Sequence, residues 1–108
     1  SEGLLVTLPK SFDQDPANVA LADAFKAKKE DPSGPFVFPA YSAVEVIAGG
    51  ITAAKSEDSA KVAEAIHAGT FKTPTGDLSF DAKGDLKDFK FVVYEWHFGK
   101  PKTEASPQ

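Results

Sequence analysis

Few side chains in this sequence are suited to acid–base or nucleophilic chemistry. Its 108 residues include two histidines, His67 and His97, and no cysteine. Nucleophilic catalysis needs a serine, threonine or cysteine beside a base. Neither histidine lies in a recognisable motif, and Ser42 lacks the flanking glycines of a nucleophile elbow. The sequence therefore predicts no catalytic residue and no enzyme activity.

Acidic residues recur at an even spacing of four, at Asp77, Asp81 and Asp85. This spacing brings side chains together on a helix, but the surrounding residues are typical of strands and turns, where it does not. The stretch also lacks the alternating acids and terminal glutamate of a calcium-binding loop. We interpret these aspartates as turn-forming residues and predict neither a metal site nor a cofactor.

An aromatic cluster near the end of the chain contains Tyr94, Trp96 and the adjacent His97. These side chains would either line a pocket or pack in a core or along a sheet edge. The residues alone favour packing.

Composition narrows the classes of partner. The net charge is -4, with 12 Lys and Arg against 16 Asp and Glu, so no basic face is available for nucleic acid or an anionic membrane. No run reaches the roughly 18 apolar residues of a membrane span, so membrane insertion is not predicted.

Length and composition predict one globular domain, which would expose roughly 5,800 Å². Methionine is absent even at position 1, which suggests the inside of a longer protein whose targeting segment is removed or lies elsewhere.

The first half of the chain alternates an apolar run with helical patterns. Residues 3–8 predict a strand buried on both faces, ended by Pro9. Asp15 and Pro16 predict the start of a helix, since aspartate caps free amides and proline suits the first turn. After a turn at Asp31–Pro35, a helix starting at Pro39 is apolar nearly all round, which predicts burial on all sides.

The second half combines a helix with strands. Gly49 and Gly50 predict close packing of the apolar helix against a neighbour, because glycine is costly inside helices. Ser56 is the expected cap of a third helix, and Gly69 its expected left-handed end. Turns are predicted at residues 73–76 and 82–85, a strong strand at 89–98, and a frayed tail from residue 99.

Several motifs occur in one order along nearly the whole chain, and together they resemble one family. The similarity is to the branched-chain amino-acid-binding proteins of bacterial ABC importers. The matching stretches are Glu2–Thr7, Phe12–Asn18, Asp31–Val37, Tyr41–Val44, Thr75–Lys87 and Tyr94–His97.

The resemblance implies the α/β fold of a type I periplasmic binding protein, with two Rossmann-like lobes joined by a three-segment hinge. This chain would be the last third. Residues 1–12 would form a strand of the carboxy-terminal lobe and a hinge crossing, residues 13–85 the helical and strand part of the amino-terminal lobe, and residues 86–108 the return crossing, last strand and tail. The crossings near Pro9–Asp13 and Asp85–Asp88 would bend as the lobes close. In isolation, the first and last strands would expose apolar faces.

The resemblance also implies a function and one site residue in this chain. The protein would capture leucine, isoleucine or valine in the periplasm and deliver it to an ABC permease, without a cofactor. From the residues alone, Phe36 is interpreted as a ring that packs against the sheet. The resemblance implies instead that Phe36 contacts the side chain of the ligand, with Phe38 and Tyr41 supporting its ring from behind. The remaining part of the two-lobed protein would complete the pocket. Two alternatives stay open: a ligand-sensing domain of a receptor or regulator with the same fold, and a stand-alone interaction module.

Overall fold

The described residues form five strands and three helices. The computed structural model describes residues 2–105. The strands are β1 (Leu4–Pro9), β2 (Phe71–Thr73), β3 (Gly76–Leu78), β4 (Phe91–His97) and β5 (Lys100–Glu104), and the helices are α1 (Val19–Ala27), α2 (Val37–Ala54) and α3 (Ser59–Ala68). Two short 3-10 turns, Phe12–Gln14 and Pro16–Asn18, precede α1.

The ends of the chain form an antiparallel sheet in the order β1-β4-β5. The β1–β4 register runs from Leu4 opposite Trp96 to Pro9 opposite Phe91. The prediction of a frayed tail from residue 99 is wrong as far as Glu104, because residues 100–104 form β5 and pair with β4. Residues 106–108 lie outside the described residues. Pro101 and the charged residues of β5 suit an edge strand, where proline removes no needed donor.

The helix caps agree in part with the predictions. Asp15 accepts a hydrogen bond from the Ala17 amide at 3.0 Å, so the predicted start is confirmed, although its first turn is 3-10. Ser56 does not cap α3. The cap is Asp58, whose extended backbone lets its carboxylate accept from the Lys61 amide at 3.1 Å, while the Ser56 hydroxyl accepts from the Asp58 amide.

The three glycines around α2 and α3 serve close packing. A Cβ on Gly50 would lie 2.5 Å from Ile66 of α3, and one on Gly49 would lie 2.8 Å from the ring of Phe71, so the predicted close approach is confirmed. The predicted left-handed cap at Gly69 is wrong, since its φ of -95° and ψ of 163° are extended. Glycine is needed there because a Cβ would meet the Phe71 ring at 2.8 Å.

Contacts between elements fall into two units. The sheet unit is β1, β4 and β5; the helical unit is residues 12–87, in which α2 packs on α3 and β2, and α1 packs on the 3-10 turns. The radius of gyration is 16.5 Å, against about 13 Å for a compact domain of this length. The accessible surface is 7825 Å², well above the roughly 5,800 Å² of a globular monomer. The prediction of one globular domain is therefore wrong for this chain.

Two apolar elements are less buried than their sequences predict. Helix α2 buries one stripe, Phe38, Ser42, Val46 and Gly50, and exposes its other sides, including 67% of Val44. In β1, Leu4 and Leu5 are 57% and 60% exposed, so burial on both faces is also wrong. These surfaces have no cover within residues 2–105 of this chain.

Helix α2 also bears on the expectation about membrane spans. It is long and apolar enough to cross a membrane, by length and composition alone, so the prediction that no stretch reaches this length is wrong. The core helix of a soluble protein meets the same criterion. The contacts of α2 with α3 and β2 are those of a helix inside a folded unit.

Candidate ligand-binding site

The ring of Phe36 stands at the start of α2, directly after the Asp31–Pro35 turn. Phe36 is the residue preceding the helix, its carbonyl accepts the first helical hydrogen bond from the Ala40 amide at 2.9 Å, and 66% of its surface is exposed. An exposed ring at a fixed helix start is available to an apolar ligand group.

The turn before Phe36 is held by its own side chains. The Asp31 carboxylate accepts from the Ser33 amide at 2.9 Å, and the Val37 amide donates to the Gly34 carbonyl at 3.2 Å. The hydrogen bonds from the Ser33 backbone and side chain lower the pKa of Asp31. The turn therefore keeps its carboxylate ionised and fixes the chain direction into α2.

Phe38 and Tyr41 have a different ring partner from the expected one. Both pack on Phe25 of α1, with ring centroids 6.1 and 6.2 Å apart, and Phe38 is 1% exposed. These contacts join α1 to the first turns of α2. Any support they give Phe36 acts through the position of the helix.

Two buried polar residues, whose structural roles were not predicted, hold the turns around this helix. Ser42 is fully buried on the α2 stripe, and its hydroxyl accepts from the Thr75 hydroxyl at 3.1 Å. Buried Asn18 donates through Nδ2 to the carbonyls of Phe12 and Pro74, at 3.0 and 2.8 Å. The signal for Ser42 was its spacing of four from Phe38 and Val46; Asn18 had no local signal, because its partner at Pro74 is distant in sequence.

Two of the clefts around the helical unit differ in their lining. One, of about 330 Å³, is nearly all apolar and lies between α2, α3 and the segment after β3; its lining includes Val46, Ile47, Ile66, Leu78, Phe80 and Phe89. The other, of about 420 Å³, lies where residues 10–16 face the sheet, and its lining includes Lys10, Gln14, Asp15, Tyr94, Lys102 and Glu104. Phe36 lines neither cleft.

The aromatic cluster of β4 is divided between the two faces of the sheet. Tyr94 is buried and its Oη accepts from the Ser11 amide at 2.8 Å, whereas Trp96 is 45% exposed. His97 points to the other face, where Nδ1 lies 2.8 Å from Glu2 Oε1 and Nε2 lies 2.8 Å from Thr103 Oγ1. The cluster forms no common pocket, which agrees with the packing interpretation.

The remaining candidates have local roles. Asp81 accepts from the amides of Lys83 and Asp85, at 2.8 and 2.9 Å, which confirms it as a turn-forming residue. The same prediction is wrong for Asp77, which lies in β3 opposite Lys72. His67 is exposed in the last turn of α3. Within residues 2–105, no three histidine, aspartate or glutamate side chains converge to hold a metal ion.

The arrangement defines a class of protein. The α/β fold is that of part of a type I periplasmic binding protein, as solved structures show. A leucine-binding protein of Thermotoga maritima aligns with 97% of this chain and 30% of its own, with a TM-score of 0.76 and 25% identity. The closed form of a leucine-, isoleucine-, valine-, threonine- and alanine-binding protein from Brucella ovis aligns with 92% of this chain and 27% of its own, with a TM-score of 0.69 and 25% identity.

Sequence comparison identifies relatives of part of this class. The leucine-, isoleucine-, valine-, threonine- and alanine-binding protein of Pseudomonas aeruginosa is 65% identical over 105 residues, 97% of this chain and 28% of that protein. No protein-family model matches the chain. The chain is thus similar, over nearly its whole length, to part of the leucine/isoleucine/valine-binding proteins, which confirms the resemblance. It spans less than a third of the length of these relatives, which are named for binding and not for catalysis.

Proposed function

We propose that this chain is part of a solute-binding protein that captures leucine-, isoleucine- or valine-type amino acids in the periplasm and delivers them to an ABC permease. The observation that carries the proposal is the 65% identity, over 97% of the chain, to a protein named for binding these amino acids. Because the chain spans 28% of that relative, capture and delivery belong to the whole protein.

The domain assignment is part of this proposal. Residues 1–12 and 86–108 belong to the carboxy-terminal lobe and its crossings, and residues 13–85 belong to the amino-terminal lobe. The separation of contacts into a sheet unit and a helical unit supports it. The polypeptide then passes between the lobes twice within this chain.

Phe36 is the ligand-contacting residue of this proposal. Its support is the exposure of the ring and its fixed position at the start of α2. An aliphatic side chain that packs on the ring leaves water, which stabilises the complex by about 25 cal/mol for each Å² of apolar surface. The ammonium and carboxylate groups of the amino acid are bound by residues of the remaining part.

The remaining part of the two-lobed protein covers the apolar surfaces of this chain. The exposed sides of α2 and the free edge of β1 support this, since such surfaces and edges are normally buried or paired. The charged edge strand β5 needs no such partner.

The test is calorimetric titration of leucine, isoleucine and valine into a full-length protein that carries this chain. We expect binding, and we expect Phe36→Ala to raise the Kd about tenfold or more, since apolar pocket contacts contribute about 1–3 kcal/mol. Phe98→Ala is the matched control, because Phe98 is 80% exposed in the turn between β4 and β5. A folded wild-type protein that binds none of the three would overturn the function. Binding that is unchanged in Phe36→Ala would overturn only the role of Phe36.

A further inference from the structure

The polar cleft of about 420 Å³, where residues 10–16 face the sheet, has no part in the proposed function. From the groups that line it we propose that this cleft binds a small carboxylate ion, held by the Tyr94 hydroxyl and by the ammonium groups of Lys10 and Lys102. Phe36 does not line the cleft. The site is therefore separate from the proposed contact with the amino-acid side chain, and it goes beyond the proposed function.

The least exposed donor of the cleft is the hydroxyl group of Tyr94. Tyr94 is 3% exposed, and its Oη accepts a hydrogen bond from the Ser11 amide at 2.8 Å. Because Ser11 lines the same cleft, the hydroxyl end of Tyr94 lies at the cleft wall. A phenol also donates one hydrogen bond, and within residues 2–105 that hydrogen has no acceptor. A carboxylate oxygen bound in the cleft would supply the acceptor.

Lys102 of β5 brings a positive charge to the same wall. Its Nζ lies 5.2 Å from the centroid of the Tyr94 ring, which is a cation–π distance. Lys102 is half-buried and lines the cleft. The aliphatic stem is therefore held close to the sheet, while the ammonium group remains within reach of a ligand that accepts from the Tyr94 hydroxyl.

The other charges around the cleft leave both lysines available. In the part of the chain that the structure describes, neither Lys10 nor Lys102 forms an ion pair. The carboxylates of the lining are those of Asp15 and Glu104. Asp15 Oδ1 accepts from the Ala17 amide at 3.0 Å, and Glu104 is exposed, so that water and salt screen its charge. A small anion can bind between the two lysines, with Glu104 opposing it by repulsion.

A carboxylate matches this set of donors. One of its oxygens can accept from the Tyr94 hydroxyl while the other accepts from an ammonium group, and such charge-assisted hydrogen bonds are about twice as strong as neutral ones. Gln14 adds a donor at the exposed side of the cleft. One hydrogen of its Nε2 is bonded to Asp13 Oδ2 at 2.6 Å, and the amide carries a second.

Titration of sodium acetate into a full-length protein that carries this chain tests the site, with the amide NMR signals of Gln14 and Lys102 as reporters. We expect saturable shifts at both positions, and no saturation with equal concentrations of sodium chloride. Lys102→Gln should raise the Kd for acetate about tenfold, because it removes a charge-assisted hydrogen bond. Lys100→Gln is the matched control, since Lys100 is exposed on the same strand and does not line the cleft.

Two further variants change the other groups of the site. Tyr94→Phe keeps the buried ring and removes the hydroxyl group, and we expect it to raise the Kd for acetate about fivefold. Glu104→Gln removes the repulsion, and we expect it to lower the Kd about twofold. A higher Kd in Glu104→Gln would contradict the binding of a simple anion.

The site would be overturned by an acetate titration without saturable shifts, or by the same Kd in Lys102→Gln and Lys100→Gln. Acetate shifts that disappear in saturating leucine would place acetate in the amino-acid site and would also overturn it. A protein that binds acetate in this cleft but binds no leucine, isoleucine or valine would contradict the proposed function alone.

Discussion

The helical unit and the sheet unit are held together in different ways. In the helical unit, the buried residues include Ala22, Phe38 and Val46, with Ser42 and Asn18 satisfied by hydrogen bonds. In the sheet unit, Tyr94 and Pro9 are buried and backbone pairing supplies most of the contacts. Buried side chains therefore stabilise the helical unit, whereas strand pairing is the main contribution in the sheet unit.

The largest effect that separates the units is expected at Phe38. Phe38→Ala removes a ring that is 1% exposed, and it should lower the free energy of unfolding by about 3–5 kcal/mol. Phe98→Ala, in the sheet unit, should change it by less than about 0.5 kcal/mol. Denaturant unfolding of the protein measures both. Should Phe38→Ala fail to fold, Phe38→Leu should still lower the free energy of unfolding by about 1 kcal/mol. Equal losses at Phe38 and Phe98 would contradict the difference between the two units.

A second difference is the tight contact between α2 and α3. Gly50→Ala places a methyl group 2.5 Å from Ile66, and we expect a loss of about 1–3 kcal/mol because the helix pair must separate. Ile66→Val should recover part of this loss, with a coupling of at least about 0.5 kcal/mol in a double-mutant cycle. Losses that simply add would show that the methyl group is accommodated elsewhere.

The parts of the helical unit that could be predicted depend on neighbours in sequence. Asp15 and Pro16 define a helix start within a few residues, and Gly49–Gly50 in an apolar helix predicts close packing. Gly69 was misinterpreted because the same residue type serves a left-handed cap and a close approach, and only the path of Phe71 over it distinguishes the two. Ser56 and Asp58, two positions apart, are both cap residue types, and the backbone geometry selected Asp58.

The sheet unit was harder to predict because its contacts are distant in sequence. The β5 residues have no apolar alternation, and they form a strand because β4 supplies the pairing partners. The exposure of β1 and α2 depends on how the elements pack, which no local pattern reveals. For the site, the aromatic ring of Phe36 was predicted through a resemblance. The hydrogen bonds of Asn18 and Tyr94 were not predicted, because their partners lie 56 and 83 positions away in the sequence.

The smallest expected effect is a pH dependence in the sheet unit. The hydrogen bond with the His97 side chain and that from the Phe98 amide lower the pKa of Glu2 below its ordinary value of 4.5. A carboxyl group with a lowered folded-state pKa stabilises the fold above its unfolded pKa, and the contribution is lost as pH falls through the folded value. Glu2 is exposed, so the effect should be local.

The Phe98 amide reports this change, because it donates to Glu2 Oε2 at 3.0 Å. Its NMR chemical shift should move as Glu2 is protonated, with a midpoint below 4.5. Glu2→Gln should abolish the transition, whereas Glu57→Gln, an exposed residue before α3, should leave it intact. A transition that persists in Glu2→Gln would assign it to another group and remove this link between β1 and the β4–β5 turn.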